Sequence, residues 1–217
     1  MSKKVLAPSR NPVRTRQRLL NAAIALFSRR GYHAVSVDEI VASARVNKRM
    51  VYHYFGSKEG LYKVVLHDVY SRLESVEFHA IESAGSPREK LARLLDSYFA
   101  FLEENPEFVQ LLQWENLERG RHIAKDRNIL TKNPFMERFR EIISDGVKTG
   151  AFRDNLNITH LIINFIGLCF IYYANRYSLS QGLHLDLGSP QVKAEARHHA
   201  LSLVFSGIGA NPPDSGR

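Results

Sequence analysis

The sequence predicts an all-α protein, with a three-helix head followed by a larger helical body and about nine helices in all. Three observations predict it. Apolar residues recur at i, i+3, i+4 and i+7 through most of the chain, and no alternating strand pattern runs beyond a few residues. The net charge of +8 over 217 residues is also confined to one end. Residues 1–60 carry 12 Lys and Arg against 3 Asp and Glu, whereas the remainder carries 18 against 19. A basic quarter on a neutral body points to a head that meets a polyanion.

The first helix starts at Pro12 and ends at Gly31, with Leu20, Ala23, Ile24 and Phe27 on its apolar face and Arg14, Arg18, Asn21 and Ser28 outside it. A second, short helix follows Ser36, with Val37, Ile40, Val41 and Ala44 in one stripe. Ser36 and Glu39 have capping-box spacing, each side chain able to serve the other's backbone amide. Arg45 and Val46 make a tight turn, and Asn47 caps a third helix from about Lys48 to Tyr54. There Val51 and Phe55 can face the core, which leaves Lys48, Arg49, Tyr52 and His53 on one outer side. Two short helices across a tight turn, the second showing cationic and aromatic tips, read as a helix-turn-helix with a groove-reading helix.

Ser57 caps a long fourth helix to about Ser83, followed by a break at Ala84-Gly85-Ser86 and a helix from Pro87 to Glu104. After Asn105-Pro106, Phe108, Leu111, Leu112 and Glu115 keep helical spacing towards Gly120. The polar stretch Arg119 to Lys132 reads as a linker. Phe135, Phe139, Ile142 and Ile143 mark the next helix. Asn157 caps an apolar one from Ile158 to Tyr177, too short and too polar at its ends for a membrane span. A loop from Ser178 to Gly188 leads to Ser189-Pro190 and a last helix to about Gly207.

The run Tyr52-His53-Tyr54-Phe55-Gly56-Ser57-Lys58-Glu59-Gly60-Leu61, preceded by Ser36-Val37-Asp38-Glu39-Ile40, resembles the N-terminal domain of the tetracycline-repressor (TetR/AcrR) family of transcriptional regulators. The match runs in register from Val13 to Tyr70. Two positions depart from the family pattern: Arg45 stands where a turn glycine is common, and Lys48-Arg49-Met50 replaces a lysine-glycine-small triplet. The basic stretch 1–11 reads as a flexible arm and 209–217, with two prolines, as a disordered tail; the resemblance implies a helix-turn-helix domain over 12–60 with the motif running to about 70 and a ligand-binding and dimerisation body over 61–208. It implies a repressor that binds a palindromic operator in double-stranded DNA as a homodimer and leaves it when an unknown small-molecule effector enters the body.

Carried over residue by residue, the motif assigns Lys48, Arg49 and Tyr52 to the major groove and Ser36, His53, Tyr54 and Lys58 to phosphates, with Arg45 and Asn47 flanking them at the turn. For the dimer, the stripe Val192, Ala196, His199, Ala200, Leu203 and Gly207 is expected to pair with the apolar helix through Phe165 and Cys169. For the effector, Tyr98, Phe101, Gln110, Gln113, Trp114, Asn164, Tyr172 and Tyr173 supply more aromatic and amide groups than packing demands, with Asn164 expected at a wet cavity.

Enzyme motifs are missing: there is no HExxH, GxSxG, phosphate-cradling glycine loop or cysteine pair, so no catalytic residue, metal ligand or cofactor is expected. His198 and His199 are adjacent and diverge on a helix, unlike an i, i+4 metal pair. The single cysteine suits a reducing cytoplasm, and the basic N-terminus lacks the apolar core of a secretory signal. The alternative in another class is a structural, nucleoid-associated DNA-binding protein without small-molecule input.

Overall fold

The structure, a computed structural model, describes residues 12–125 and 133–210. They form eleven helices: α1 (Pro12–Arg30), α2 (Val37–Ala44), α3 (Arg49–Phe55), α4 (Lys58–Glu82), α5 (Pro87–Glu104), α6 (Pro106–Leu117), α7 (Arg121–Lys125), α8 (Asn133–Lys148), α9 (Ile158–Ala174), α10 (Arg176–Leu183) and α11 (Pro190–Ile208). Two compact units emerge. The first holds the described residues of Met1–Val69 and Gln110–Ile129, the second those of Tyr70–Val109 and Leu130–Arg217. Membership is not sequential: α4 and α6 each begin in one unit and end in the other.

In the first unit α1 buries Leu19, Leu20, Ala23, Ile24 and Phe27 and packs on α2 and α3. Ser28, expected outside the apolar face, is buried as well. At α2 the capping box is complete: the Glu39 amide donates to Ser36 Oγ at 3.2 Å and the Ser36 amide donates to Glu39 Oε2 at 2.8 Å. Those backbone and side-chain bonds, with Arg30 at 2.6 Å, hold the exposed Glu39 carboxyl at a pKa of about 2. It stays ionised through the ordinary carboxylate range.

The α2–α3 turn is closed by Arg45 in the left-handed region, φ 51° and ψ 50°, with its amide donating to Ala42 O at 3.1 Å. Arg18 reaches from α1 to the carbonyls this turn leaves exposed, those of Ala44 and Arg45. Asn47 makes a local turn, its Oδ1 accepting from the Arg49 amide at 2.9 Å, so α3 starts at Arg49.

In the second unit α5 packs against α8, α9 and α11. Its start has both devices expected of it, a Ser86–Glu89 capping box and Pro87 in the first turn. Phe135, Phe139, Ile142 and Ile143 of α8 are buried, as their spacing predicts. Phe152 then folds over Gly146 so closely that a Cβ there would lie 1.9 Å from the ring. Only glycine fits.

Three differences from the sequence expectation are informative. Within the stretch Arg119 to Lys132, expected as a linker, residues 121–125 form α7, and 126–132 lie outside the described residues. The apolar helix stops at Ala174, where Asn175 breaks it, and α10 continues at a 77° bend through part of the expected loop. α10 has no apolar periodicity to betray it, since none of its residues is buried. The stretch from 209 is expected to be disordered, yet Gly209 bridges Phe152 and the Ala210 amide donates to Ala151 O. The arm 1–11 and residues 211–217 lie outside the described residues. Among those described, no single helix is long and apolar enough to cross a membrane.

A non-glycine residue in the left-handed region costs about 1–2 kcal/mol. Arg45→Gly is therefore expected to raise unfolding stability by about 1 kcal/mol, read as a higher urea midpoint at unchanged slope. An unchanged or lower midpoint would show that the turn is unstrained.

Candidate nucleic-acid interface

The outer side of α3 follows from which two of its residues go inside. Val51 and Phe55, four apart, are 0% and 8% exposed, and this fixes Arg49, Tyr52 and His53 on the opposite, exposed side. Tyr52 is half exposed. Beside them the Lys48 ammonium sits 2.8 Å from Asp38 of α2, which supports it in place and raises its pKa through that hydrogen bond. Ser36, Arg45, Asn47 and His53 are also exposed, whereas Tyr54 is half-buried with its ring against His53 and Phe55. Lys58 is turned inward: its ammonium lies 4.3 Å over the Tyr32 ring, where burial lowers its pKa. Eight of the nine motif residues lie on or next to α3 and the turns that flank it, or at the cap of α2; Lys58 is the ninth, at the start of α4.

Sequence reasoning missed the cations that hold this surface. Arg18 ties α1 to the α2–α3 turn, Arg16 lies 5.3 Å over the Phe55 ring, and Arg30 bonds both Glu39 and the Ala34 carbonyl. Their positions outside the apolar stripe of α1 gave no sign of it. Among the described residues no group of three or more His, Cys, Asp or Glu is arranged to hold a metal ion.

The residues expected at an effector site are divided between the two units. Tyr98 and Phe101 are buried in the second unit, with Phe101 against Phe108 and Tyr98 against Phe165. Trp114 belongs to the first unit, where its indole N–H donates to Ser28 O at 3.0 Å, while Gln110 and Gln113 are exposed. Asn164 is not a buried amide at all. It is exposed on α9, next to Ile163 at 57% exposure. Tyr172 and Tyr173 pack on Phe99, and the Tyr173 hydroxyl donates to the Phe99 carbonyl at 3.0 Å.

The expected dimer set mixes two helix faces. Phe165 and Cys169 point into their own protomer at 3% and 0% exposure, and so do Ala196 and Ala200 at 3% and 2%. The Cys169 thiol is pushed up to about 12 by burial, which marks it as inert core. Val192 is half-buried; His199 and Leu203 are exposed. Residues 199 and 200 differ by 100° around the helix, so one of the pair must turn inward. The outward face is instead His160, Ile163, Asn164, Gly167 and Ile171 of α9 with His199, Leu203 and Gly207 of α11. An open groove of about 860 Å³ runs between these helices, lined by Ile163, Gly167, Ile171, Leu203 and Gly207 among others.

A short helix presented by a capped neighbour across a tight turn, with cationic and aromatic groups outward on a basic unit, defines a helix-turn-helix DNA-binding protein. Comparison with known proteins gives the particular family. Residues 19–65 match the model described as bacterial regulatory proteins, tetR family, and residues 87–204 match the tetracyclin repressor-like C-terminal domain. The HTH-type transcriptional repressor NicS of Pseudomonas putida is 36% identical over 196 residues, covering 90% of this chain and 92% of that one. The HTH-type transcriptional repressor SCO4008 of Streptomyces coelicolor is 30% identical over 160 residues, covering 74% and 79%. In fold, the chain is similar to the ketosteroid transcriptional regulator KstR2 of Mycobacterium tuberculosis, with a TM-score of 0.64 at 21% identity over 94% of this chain and 97% of that one. The chain belongs to the TetR family of DNA-binding transcriptional regulators.

Proposed function

We propose that the protein is a homodimeric repressor that binds a two-fold symmetric operator through α3 and releases it when a small molecule occupies the second unit. The observation that carries the DNA part is the outward set Lys48, Arg49, Tyr52 and His53, held by buried Val51 and Phe55. In this reading Lys48, Arg49 and Tyr52 enter the major groove, while Ser36, His53, Tyr54 and Lys58 meet phosphates from either side. Selection of bound sequences from a random DNA pool tests it and should return one short palindrome. Arg49, whose planar fork suits a guanine edge, is expected to contribute about 1–3 kcal/mol of discrimination at one base pair per half-site. Selection with Arg49→Ala should then relax that position alone. An identical sequence preference would place base readout elsewhere.

A second copy is required because one chain carries one such helix, and successive major grooves are about 34 Å apart. The support for its place is the outward face of α9 and α11, where small residues border exposed Ile163, Ile171 and Leu203. Gly167 and Gly207, with no neighbouring atom within 4 Å of a Cβ position, leave room for a partner's helices. Leu203→Glu, on a side chain 60% exposed and so neutral for the protomer's own fold, should give monomers by sedimentation and lose tight operator binding. A variant still dimeric at micromolar concentration would move the interface.

For the effector, the interior of the second unit supplies the polar groups. Glu77 is buried at 2% exposure on α4, and Tyr98, buried at 4%, has its hydroxyl pKa pushed up by burial and then by Glu77, Cys169 and Tyr70. A ligand there would meet a carboxylate and a phenol within an aromatic wall. Glu77→Gln should change the concentration at which any releasing compound acts while leaving operator affinity without the compound unchanged; equal potency on both proteins would exclude that interior.

A further inference from the structure

The first unit contains a buried polar pair that the helix-turn-helix motif does not include. Glu115, at the end of α6, and His122, in α7, have side chains 1% and 3% exposed. His122 Nδ1 lies 2.8 Å from Glu115 Oε1, and the amides of His122 and Ile123 donate to Glu115 Oε2 at 3.2 and 3.4 Å. A carboxylate can only accept, so Nδ1 carries the proton in this bond. One side chain thus serves three donors and fastens α7 to α6.

The imidazole in turn is gripped by the head. Its ring centroid is 4.6 Å from that of Tyr32, in the turn after α1, and 4.7 Å from that of Tyr62, in the second turn of α4. The two tyrosines are 5.0 Å apart, and Tyr32 carries the Lys58 ammonium on its ring. Two neighbouring contacts grip the end of α1 in parallel. Trp114 bonds the Ser28 carbonyl and lies so close to Gly31 that a Cβ there would be 2.9 Å away, and Glu118 sits 3.4 Å from His33 Nε2. α1 packs on α2 and α3, and α4 follows α3 directly, so the end of α1, the turn and the start of α4 form a frame around the head. Segment 110–125 closes that frame.

We propose that Glu115 and His122 are positioning residues for DNA binding: their hydrogen bond holds the imidazole against Tyr32 and Tyr62, and so fixes the first turn of α4 in the geometry in which α3 meets the duplex. The clasp also has a thermodynamic consequence. If it holds the binding-competent form, DNA must stabilise the clasp by as much as the clasp stabilises the complex.

The test uses the duplex recovered by selection with the unaltered protein, together with amide exchange. His122→Phe keeps an aromatic ring between the tyrosines but cannot donate to Glu115; His122→Asn restores a donor near the position of Nδ1, and Glu115→Gln keeps an acceptor. His122→Phe should bind the duplex at least tenfold more weakly and exchange faster at Lys58–Tyr62, with exchange in α5 unchanged. Glu115→Gln should stay within about threefold of the unaltered protein, whereas His122→Asn, which has the donor but no ring to lie against Tyr32 and Tyr62, should lose affinity as His122→Phe does. Binding by His122→Phe within twofold of the unaltered protein overturns the proposal, as does an equal loss in all three variants. Should His122→Phe fail to fold, the unaltered protein decides: the His122 and Ile123 amides gain protection on adding the duplex, and unchanged exchange there overturns the proposal. A protein that selects no duplex defeats the operator reading, and the clasp is then judged by whether His122→Phe speeds exchange at Lys58–Tyr62 while Glu115→Gln does not.

Discussion

A seven-residue helix cannot hold itself together. Isolated helices shorter than about 12–15 residues are marginal in water, so α3 has almost no shape or direction of its own. Everything about the DNA-facing surface depends on what pins it. Two side chains go inward, Val51 and Phe55, and their four-residue spacing fixes the helix rotation. The turn before it fixes the entry angle. Arg45 takes a left-handed conformation that a glycine would adopt without strain, and Arg18 crosses from α1 to bond the carbonyls that turn exposes. An arginine in place of glycine adds a cation next to the reading helix at a cost in backbone energy, which is a trade a binding surface can make and a core could not.

The same economy governs the head's charge. Its excess of basic residues suggests a long row of phosphate contacts, but several of these cations are engaged within the unit. Arg18 holds the turn, Arg30 holds Glu39 and the Ala34 carbonyl, and Lys48 is paired with Asp38. Lys58 rests on Tyr32. The charge excess is therefore an upper bound on the counterions that binding can release, and the salt dependence of DNA binding should be shallower than the composition alone suggests. Arg18 and Arg30 act on affinity indirectly, by presenting α3.

How much of this was legible in the sequence follows from the kind of signal each feature leaves. The head was readable because its devices are local: Ser36 and Glu39 three apart, Val51 and Phe55 four apart, a turn and a cap between. The body's helices were readable where an apolar stripe marks them, as in α8. α10 was not, because no face of it is buried. The dimer set is hard to read for a different reason. Residue type alone sends apolar and small residues to an interface, yet Phe165, Cys169, Ala196 and Ala200 satisfy the protomer's own core first. What remains for a partner is decided by 100° steps around α9 and α11, and sequence shows that only once one buried position is known. Glu77, Glu115 and His122 were missed although two of them did leave a trace. Glu115 falls on the stripe of Phe108, Leu111 and Leu112, and Glu77 lies four residues after Leu73 and seven after Tyr70. An acid on an apolar stripe is either misplaced or buried with a purpose.

That purpose is a matter of specificity more than stability. Replacing a buried, hydrogen-bonded polar pair by apolar side chains of similar shape is often neutral or stabilising, whereas removing one partner is costly because the other is left without its bond. A polar pair therefore penalises every arrangement except the one in which its partners meet. An apolar contact between α6, α7 and the head would tolerate sliding, since a leucine displaced by part of a turn finds another apolar neighbour. Glu115 cannot slide: its two oxygens serve three donors whose positions are set by the start of α7 and the His122 ring. For helices that run on from the DNA-binding unit into the rest of the chain, a contact with one permitted register is what allows a small displacement to be felt as loss of a state instead of being absorbed. The buried acids and the histidine fall on α4, α6 and α7, which are the continuing helices and the one fastened to them.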